Sequence, residues 1–448
     1  MKFLIYAILG ATLCAPVRLA YAQSDGLGTL AALFATQAVS TPDTPALTLD
    51  EAERMALERN PEIAVAARKL DTVQAHKPLA GALEDPMAMV RIWGVPFTQP
   101  GNLNAAQNMF GISQALPGAG KRPLEASMAR TDVEIAQARL EQVRLAVRVR
   151  VRRAFNDMLL AQEKTRIHDQ HVALARQAIE AARIKYAVGK VSQQDILKAQ
   201  VKLTGLAEHM IHFDQDEEMA RARLNTLLGR SPEAETRVLG ELTDPAALPG
   251  LMQLEQSALE ARPDLKAAAQ MIERSRKEQA LARKSMTPDF TVSGGYMLMP
   301  SGQAMRNSYM LEGTMSLPWL NRGRHNAEVA EATAKVSEQD AELDAMRNMA
   351  FGEIQETLVA ARGAQKLAAM YQEHLRPQAE ATLESSVVAY ENEKTDFLDL
   401  LDSQMEVINI DLAWLQAMGE FNDRLADLEL ATGTVIDTTA HTAQEVKP

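Results

Sequence analysis

The sequence predicts a mainly α-helical protein with a small β part, built as two structural repeats of long antiparallel helices with one β-hairpin each. Three observations carry this. The stretch from Leu124 to Val188 contains neither Gly nor Pro and is dominated by Ala, Leu, Arg, Gln and Glu, all good helix formers. As one helix it would run about 100 Å, and its regularly spaced charges exclude a membrane-spanning helix. The chain also repeats itself: Ala56-Leu57-Glu58 and Pro61 recur as Ala258-Leu259-Glu260 and Pro263, each 202 residues on. Finally, two pairs of short runs alternate apolar and polar residues with the period of a half-buried strand.

Composition sets the outer limits. The chain has 448 residues, 4% aromatics and a net charge of −12. Ala-rich helices pack closely without large side chains, so few aromatics suit a bundle. The acidic balance makes nucleic acid an unsuitable partner. Residues 1–22 read as a secretory signal, with Lys2, an apolar run from Phe3 to Ala15, and an Ala20-Tyr21-Ala22 cleavage site. The single cysteine, Cys14, lies within it. Leu13 stands where a lipoprotein signal wants a small residue, so a lipid anchor is disfavoured. Beyond residue 22 there is no apolar run of about 18 residues that would make a membrane helix.

The expected order is a linker over 23–46, a first repeat over 47–232, a linker over 233–249, a second repeat over 250–433 and a tail over 434–448. Each repeat opens with a helix, 48–84 or 252–286, the first capped by Thr48 and Glu51 as a capping box. A strand pair follows (about 87–97 with 107–117; about 290–300 with 308–319). A long helix comes next, 123–188 or 324–389, then a tight break and a return helix, 192–228 or 396–431. Pro377 should distort the second long helix, because a mid-helix proline removes a backbone hydrogen bond.

In the strand runs, Phe290, Val292, Tyr296 and Leu298 share one phase and Thr291, Ser293 and Gly295 the other. Each run has about the 9–11 residues of a tilted membrane strand. The four windows hold 7 of the 20 aromatics: Trp93, Phe97, Phe110, Phe290, Tyr296, Tyr309 and Trp319. Such enrichment suits the aromatic girdle of an outer-membrane barrel, with Trp93, Phe97, Tyr296, Tyr309 and Trp319 as its members. A small soluble sheet capping the helices is the alternative. Four strands cannot close a membrane barrel, which needs about eight, so membrane strands would have to be shared between chains.

No catalytic set can be assembled, and neither an enzyme nor a cofactor is expected. His168/His171 and His209/His212 are H-x-x-H pairs with no third ligand, and exposed helix-face histidines are the preferred reading; no metal site is assigned. Met297, Met299 and Met310 fall on the polar phase and would face a lumen, where thioethers suit soft ions or simply fill gaps. Gly118-Ala119-Gly120-Lys121-Arg122 lacks the Ser/Thr that a phosphate loop needs after its lysine.

LTLDEAERMALERNPEI (47–63), ISQALPGAGKR (112–122), YAVGKVSQQDILKAQ (186–200), ALEARPDL (258–265), MSLPWLNRGR (315–324) and YENEKTDFLDLLDSQ (390–404) together resemble the TolC family of outer-membrane efflux proteins. The likeness lies in their order, spacing and duplication. It implies a homotrimer with a twelve-stranded β-barrel in outer-membrane lipid, continued by a periplasmic α-helical barrel. It also implies a periplasmic adaptor and an inner-membrane pump as partners, with this protein as a passive exit duct of the Gram-negative envelope. The family's helix turns match Gly189 and Lys190 in the first repeat and Glu393 and Lys394 in the second, where adaptor contact is implied. Asp399 and Asp402, one helical turn apart, match the family's entrance acids; Asp396 lies beside them, and Asp195 is the first-repeat counterpart of Asp399. Glu393 departs from the glycine of the family pattern. The methionines and the P-G-x-G-K-R stretch favour a metal-exporting branch. A periplasmic or surface coiled-coil scaffold without channel activity is the rival reading.

Overall fold

The computed structural model describes residues 46–95, 97–98, 100–102, 106–189, 192–245, 247–299, 307–392 and 394–436. The expected signal segment, most of the linker that follows it, and the end of the C-terminal tail lie outside the described residues. Each repeat opens with two short helices rather than one. In the first, α1 (Leu49–Arg59) and α2 (Pro61–His76) meet at Asn60. In the second, α5 (Leu251–Ala261) and α6 (Pro263–Arg283) meet at Arg262. The uninterrupted helices expected over 48–84 and 252–286 are therefore corrected. A proline pushes the residue before it out of the helical region, and both break residues are non-helical, with ψ of 127° at Asn60 and 120° at Arg262. The proline then starts the next helix, where its missing N–H costs nothing.

The capping box of α1 is formed: the Glu51 N–H donates to Thr48 Oγ1 at 3.4 Å and the Thr48 N–H to Glu51 Oε2 at 3.1 Å. The first repeat continues with β1 (Met87–Trp93), β2 (Gln107–Leu116), α3 (Lys121–Ala187) and α4 (Gln193–Leu227). α3 has 67 residues in one run. The second repeat continues with β3 (Phe290–Leu298), β4 (Asn307–Met315), α7 (Arg322–Met370), a π turn over Tyr371–Leu375, α8 (Arg376–Glu391) and the return helix α9 (Phe397–Thr432). The π turn is the distortion that Pro377 announces. Pro377 has no N–H to give Glu373, and the N–H of Arg376 reaches one residue further back, to Tyr371. Among the described residues no helix is long and apolar enough to cross a membrane.

The duplication survives in detail. Asn60 Nδ2 donates to the Leu227 carbonyl at the end of α4, at 2.9 Å. Arg262 Nη1 donates to the Ala431 carbonyl at the end of α9, at 2.8 Å. Each return helix ends on a glycine with positive φ pressed against the break: Gly229 (φ 67°) on Arg59 and Gly433 (φ 76°) on Arg262. A side chain at either position would strain the backbone and meet main-chain atoms at about 3 Å.

Each repeat has its own core at this level. Ala52, Ala56, Val147, Val151, Phe155, Met158, Leu224 and Leu228 form the first; Leu254, Ala258, Ile354, Leu358, Phe421, Leu425 and Leu428 form the second. A parallel bridge between Leu47 and Val238 ties the linker after the first repeat back to that repeat's start. The repeats are joined by Arg152 of α3, which pairs with Glu53 and with the buried Glu429 of α9. They are joined again where Lys121 Nζ meets Asp289 at 2.7 Å beneath the strands.

Candidate functional site

The four strands form one antiparallel sheet in the order β1-β2-β3-β4. Its register fixes which side chains share a face, since directly paired residues point the same way and the side-chain period is two. Phe110 pairs with Tyr296 and Tyr296 with Tyr309; Leu116 pairs with Phe290 and Phe290 with Met315. This face carries Val90, Ile92, Phe110, Ile112, Leu116, Phe290, Val292, Leu298, Tyr309, Leu311 and Met315, all exposed, with Tyr309 at 89% and Leu311 at 84%. The opposite face carries Ser113, Ser293, Thr291 and Glu312, of which both serines are buried. The same inner face also carries methionines, Met109, Met297 and Met310 among them, but large aliphatic and aromatic side chains turned outward and exposed invert a water-soluble sheet and match a lipid-facing barrel wall. This counts against the soluble-cap reading.

The aromatics divide by register. Tyr296 and Tyr309 sit side by side on the outward face, ring centroids 5.5 Å apart. Phe97 is fully exposed in the β1–β2 loop, and Trp319 is exposed in a 3₁₀ turn below β4. Trp93 pairs with Gln107 on the inner face, with Met89 and Arg91, so it departs from the girdle assignment. β1 alternates poorly, which concealed its phase. Phe110 and Phe290, absent from that assignment, stand on the outward face.

At the other end the helices turn back. α3 closes through Gly189 (φ 76°), whose N–H donates to the Tyr186 carbonyl at 2.8 Å. Lys190 and Glu393 lie outside the described residues. In the second turn the Lys394 N–H donates to the Ala389 carbonyl at 2.9 Å, the long-range bond of a Schellman close. The first return helix starts on a capping box, and the second has no side-chain cap on its backbone. Ser192 Oγ accepts from the Asp195 N–H at 3.2 Å and donates to Asp195 Oδ2 at 2.7 Å. In the second repeat Asp396 stands at the cap position, and Thr395 Oγ1 donates to Asp399 Oδ2 at 2.7 Å. Asp195 and Asp399 thus occupy equivalent third positions, where a carboxylate is favoured by the helix N-terminus.

Asp402 is not a free acid in a single chain. Lys202 of α4 pairs with it, although its side chain stays 62% exposed. Nearby, Lys185 Nζ lies 3.7 Å from the centroid of the Tyr390 ring, which packs on Phe397. Ile179, Ala182, Ala199, Phe397 and Leu401 form a small buried cluster between the two tips. These contacts between repeats were not readable from either repeat alone.

The histidines correct the exposed-face expectation in part. His168 is fully buried, its Nε2 2.8 Å from the Leu206 carbonyl and its ring edge-on to Phe213. Burial pushes its pKa below the ordinary value and keeps it neutral. His171 Nε2 lies 3.2 Å from Asp411 Oδ2, and Arg376 Nε donates to Asp411 Oδ1 at 2.8 Å. Of these four histidines only His212 is fully on the surface. Among the described residues no group of three His, Cys, Asp or Glu side chains is placed to hold a metal.

Long paired helices, one sheet with two open edges and an outward apolar face define an envelope protein with a membrane-embedded wall and a helical extension. The chain belongs to the outer membrane efflux protein family, whose pattern it matches over residues 53–230 and 254–434. It is therefore an outer-membrane protein of the Gram-negative envelope that serves efflux, in a family of transport proteins. It is 25% identical over 404 residues to the cobalt-zinc-cadmium resistance protein CzcC of Cupriavidus metallidurans, covering 90% of this chain and 92% of that one. It is 23% identical to the nickel-cobalt-cadmium resistance protein NccC of Alcaligenes xylosoxydans, covering 74% and 73%. The solved outer-membrane channel OprN shares its fold, with a TM-score of 0.72 at 19% identity, covering 86% of this chain and 89% of OprN.

Proposed function

We propose that three copies of this chain join their sheets into one twelve-stranded barrel and act as the passive exit duct of a tripartite efflux system. The edges of the sheet support this most directly. β1 and β4 each have an unpaired side, and the face between them is apolar and exposed. Unpaired backbone groups are not tolerated in hydrocarbon, and four strands are too few to close. Pairing β4 of one protomer with β1 of the next removes every edge. Three copies is the number the family resemblance implies.

In this reading Phe97, Tyr296, Tyr309 and Trp319 anchor the barrel in the lipid interface, and the helices carry the duct into the periplasm. The turns at Gly189, Lys190, Glu393 and Lys394 meet the periplasmic adaptor, through which the inner-membrane pump delivers cargo. Asp396, Asp399, Asp402 and Asp195 ring the entrance and favour cations. The protein catalyses nothing. The metal-resistance relatives support metal cations as cargo.

Purified protein in detergent should run as a trimer with heat-modifiable mobility and give small, cation-selective conductance in planar bilayers. Asp399→Ala/Asp402→Ala should raise the conductance and lose the selectivity. A folded monomer with no heat-modifiable mobility and no conductance would overturn the duct.

A further inference from the structure

The inner face of the sheet holds a feature that a passive wall does not require. Gly111 and Gly295 are paired across β2 and β3, and they approach so closely that a side chain on Gly111 would meet the Gly294 carbonyl oxygen at 2.7 Å. This leaves a floor of bare backbone. The register places thioethers around it. Met109 pairs directly with Met297, and Met310 pairs with Gly295 itself. Met109 is fully buried, and its methyl lies 3.0 Å from where a Gly295 side chain would begin. Met297 and Met310 are half-buried on the same face. Glu312, two residues beyond Met310 and also half-buried, adds a carboxylate beside them. A fourth thioether, Met89, is already engaged, with Arg91 Nη2 donating to its sulfur at 3.7 Å. That guanidinium bounds the set on the β1 side.

From this arrangement we infer that Met109, Met297 and Met310 form a contact site for a soft monovalent cation, of the Cu(I) or Ag(I) class, on the lumenal wall of the barrel. The inference rests on the duct reading for the statement that this face lines the lumen. Neutral thioethers select soft ions over the harder divalent ones, and the register gathers three of them beside a glycine floor. Glu312 supplies the negative charge the sulfurs lack. The site would act as a transient stop along the wall, since no anionic thiolate is present to hold the ion tightly.

Packing alone is the competing explanation, and leucine separates the two: it keeps the volume of methionine with little loss of stability but has no sulfur. Detergent-solubilised full-length protein is equilibrated by dialysis against Ag(I), and bound silver is counted per chain for wild type and for Met109→Leu/Met297→Leu/Met310→Leu. The wild type should bind one more Ag(I) per chain than the variant, and excess Zn(II) should not displace it. Circular dichroism and heat-modifiable mobility establish that the variant is folded; if it is not, Met297→Leu alone should weaken silver binding measurably. Equal silver binding by wild type and a folded variant, or displacement by Zn(II), would overturn the site and leave the duct standing. The expected silver difference in a protein that never forms a trimer would leave the site standing and overturn the duct.

Discussion

At the break between its two short helices the first repeat places Asn60, and at the same break the second places Arg262. Both hold a carbonyl at the end of their return helix, and both sit beside a glycine that only a bare backbone allows. Asn60 does this with a neutral amide, whose oxygen also caps α2 by accepting from the Glu62 N–H at 2.9 Å. Arg262 does it with a charge and recruits Asp264 and Glu353 as partners, each at 2.8 Å. The backbone closure is what duplication has kept, and the chemistry that fastens it differs between the copies. The long helices differ likewise: α3 is continuous, while its counterpart is broken by a π turn before Pro377. At that turn Arg376 reaches Asp411 and lies over Trp414, 4.5 Å from the ring centroid. The interrupted helix thus gains a contact to α9, and through Asp411 to His171 of the first repeat.

The largest test of this comparison is to remove the two fasteners separately. Arg262→Ala strands a half-buried Asp264 and a helix-end carbonyl, and should cost about 3–5 kcal/mol. Asn60→Ala loses one neutral bond and one cap, and should cost about 1–2 kcal/mol. Thermal midpoints of the two variants in detergent provide the measurement. Equal losses would mean that the added ion pairs of the second repeat contribute nothing to closure.

Asp411 sharpens the comparison through pH. Burial raises its carboxyl pKa, but hydrogen bonds from His171 and Arg376 outweigh burial and hold it below the ordinary carboxylate value. A lowered folded pKa means a stabilising contribution that is present above the unfolded pKa and disappears as pH falls through the folded one. Asp423, further along α9, behaves oppositely: burial, with Asp157 adding to it, pushes its pKa up to about 6. Ionised Asp423 therefore costs stability in full above that pH, and the cost fades as pH falls from it to the ordinary carboxylate value. Asp411→Asn should cost about 2–3 kcal/mol at pH 8, and the cost should shrink as pH falls below the ordinary carboxylate range. Asp423→Asn should gain on the order of 1 kcal/mol at pH 8 and nothing at pH 4. Thermal midpoints of both variants across pH 3 to 8 should diverge in this way, and parallel curves would refute the assignment.

Much of this architecture was readable because its signals are local. The Gly- and Pro-free run marks α3, the fixed offset marks the repeat, and alternation in 290–298 and 309–317 gives the sheet phase. The helix breaks are equally local, since Pro61 and Pro263 each pull the preceding residue out of the helical region. Other features needed the third dimension. The burial of His168 depends on α4 lying across it, and α3 packs against several neighbours at once, which erases a single apolar stripe. Asp402 shows the same limit at the entrance. Its position on α9 follows from sequence, whereas its partner comes from the other repeat.

That pairing supports the smallest prediction, and the one that bears most on function. The first repeat brings Lys185 and Lys202 to the tip, and the second brings Tyr390 and Asp402 to receive them. Asp402 remains largely exposed, so the pair is screened by water and contributes no more than about 1 kcal/mol. Lys202→Gln should therefore leave the thermal midpoint almost unchanged. It should nonetheless free one carboxylate per chain at the entrance. Asp399 keeps its bond from Thr395 in either case, so the change in field comes from Asp402 alone. Reversal potentials in a salt gradient should then shift toward stronger cation selectivity for Lys202→Gln, and Asp402→Asn on the same background should abolish that shift. An unchanged reversal potential in the first variant would mean that Asp402 lies outside the path of the ion and that the cross-repeat pair serves only to hold the two tips together.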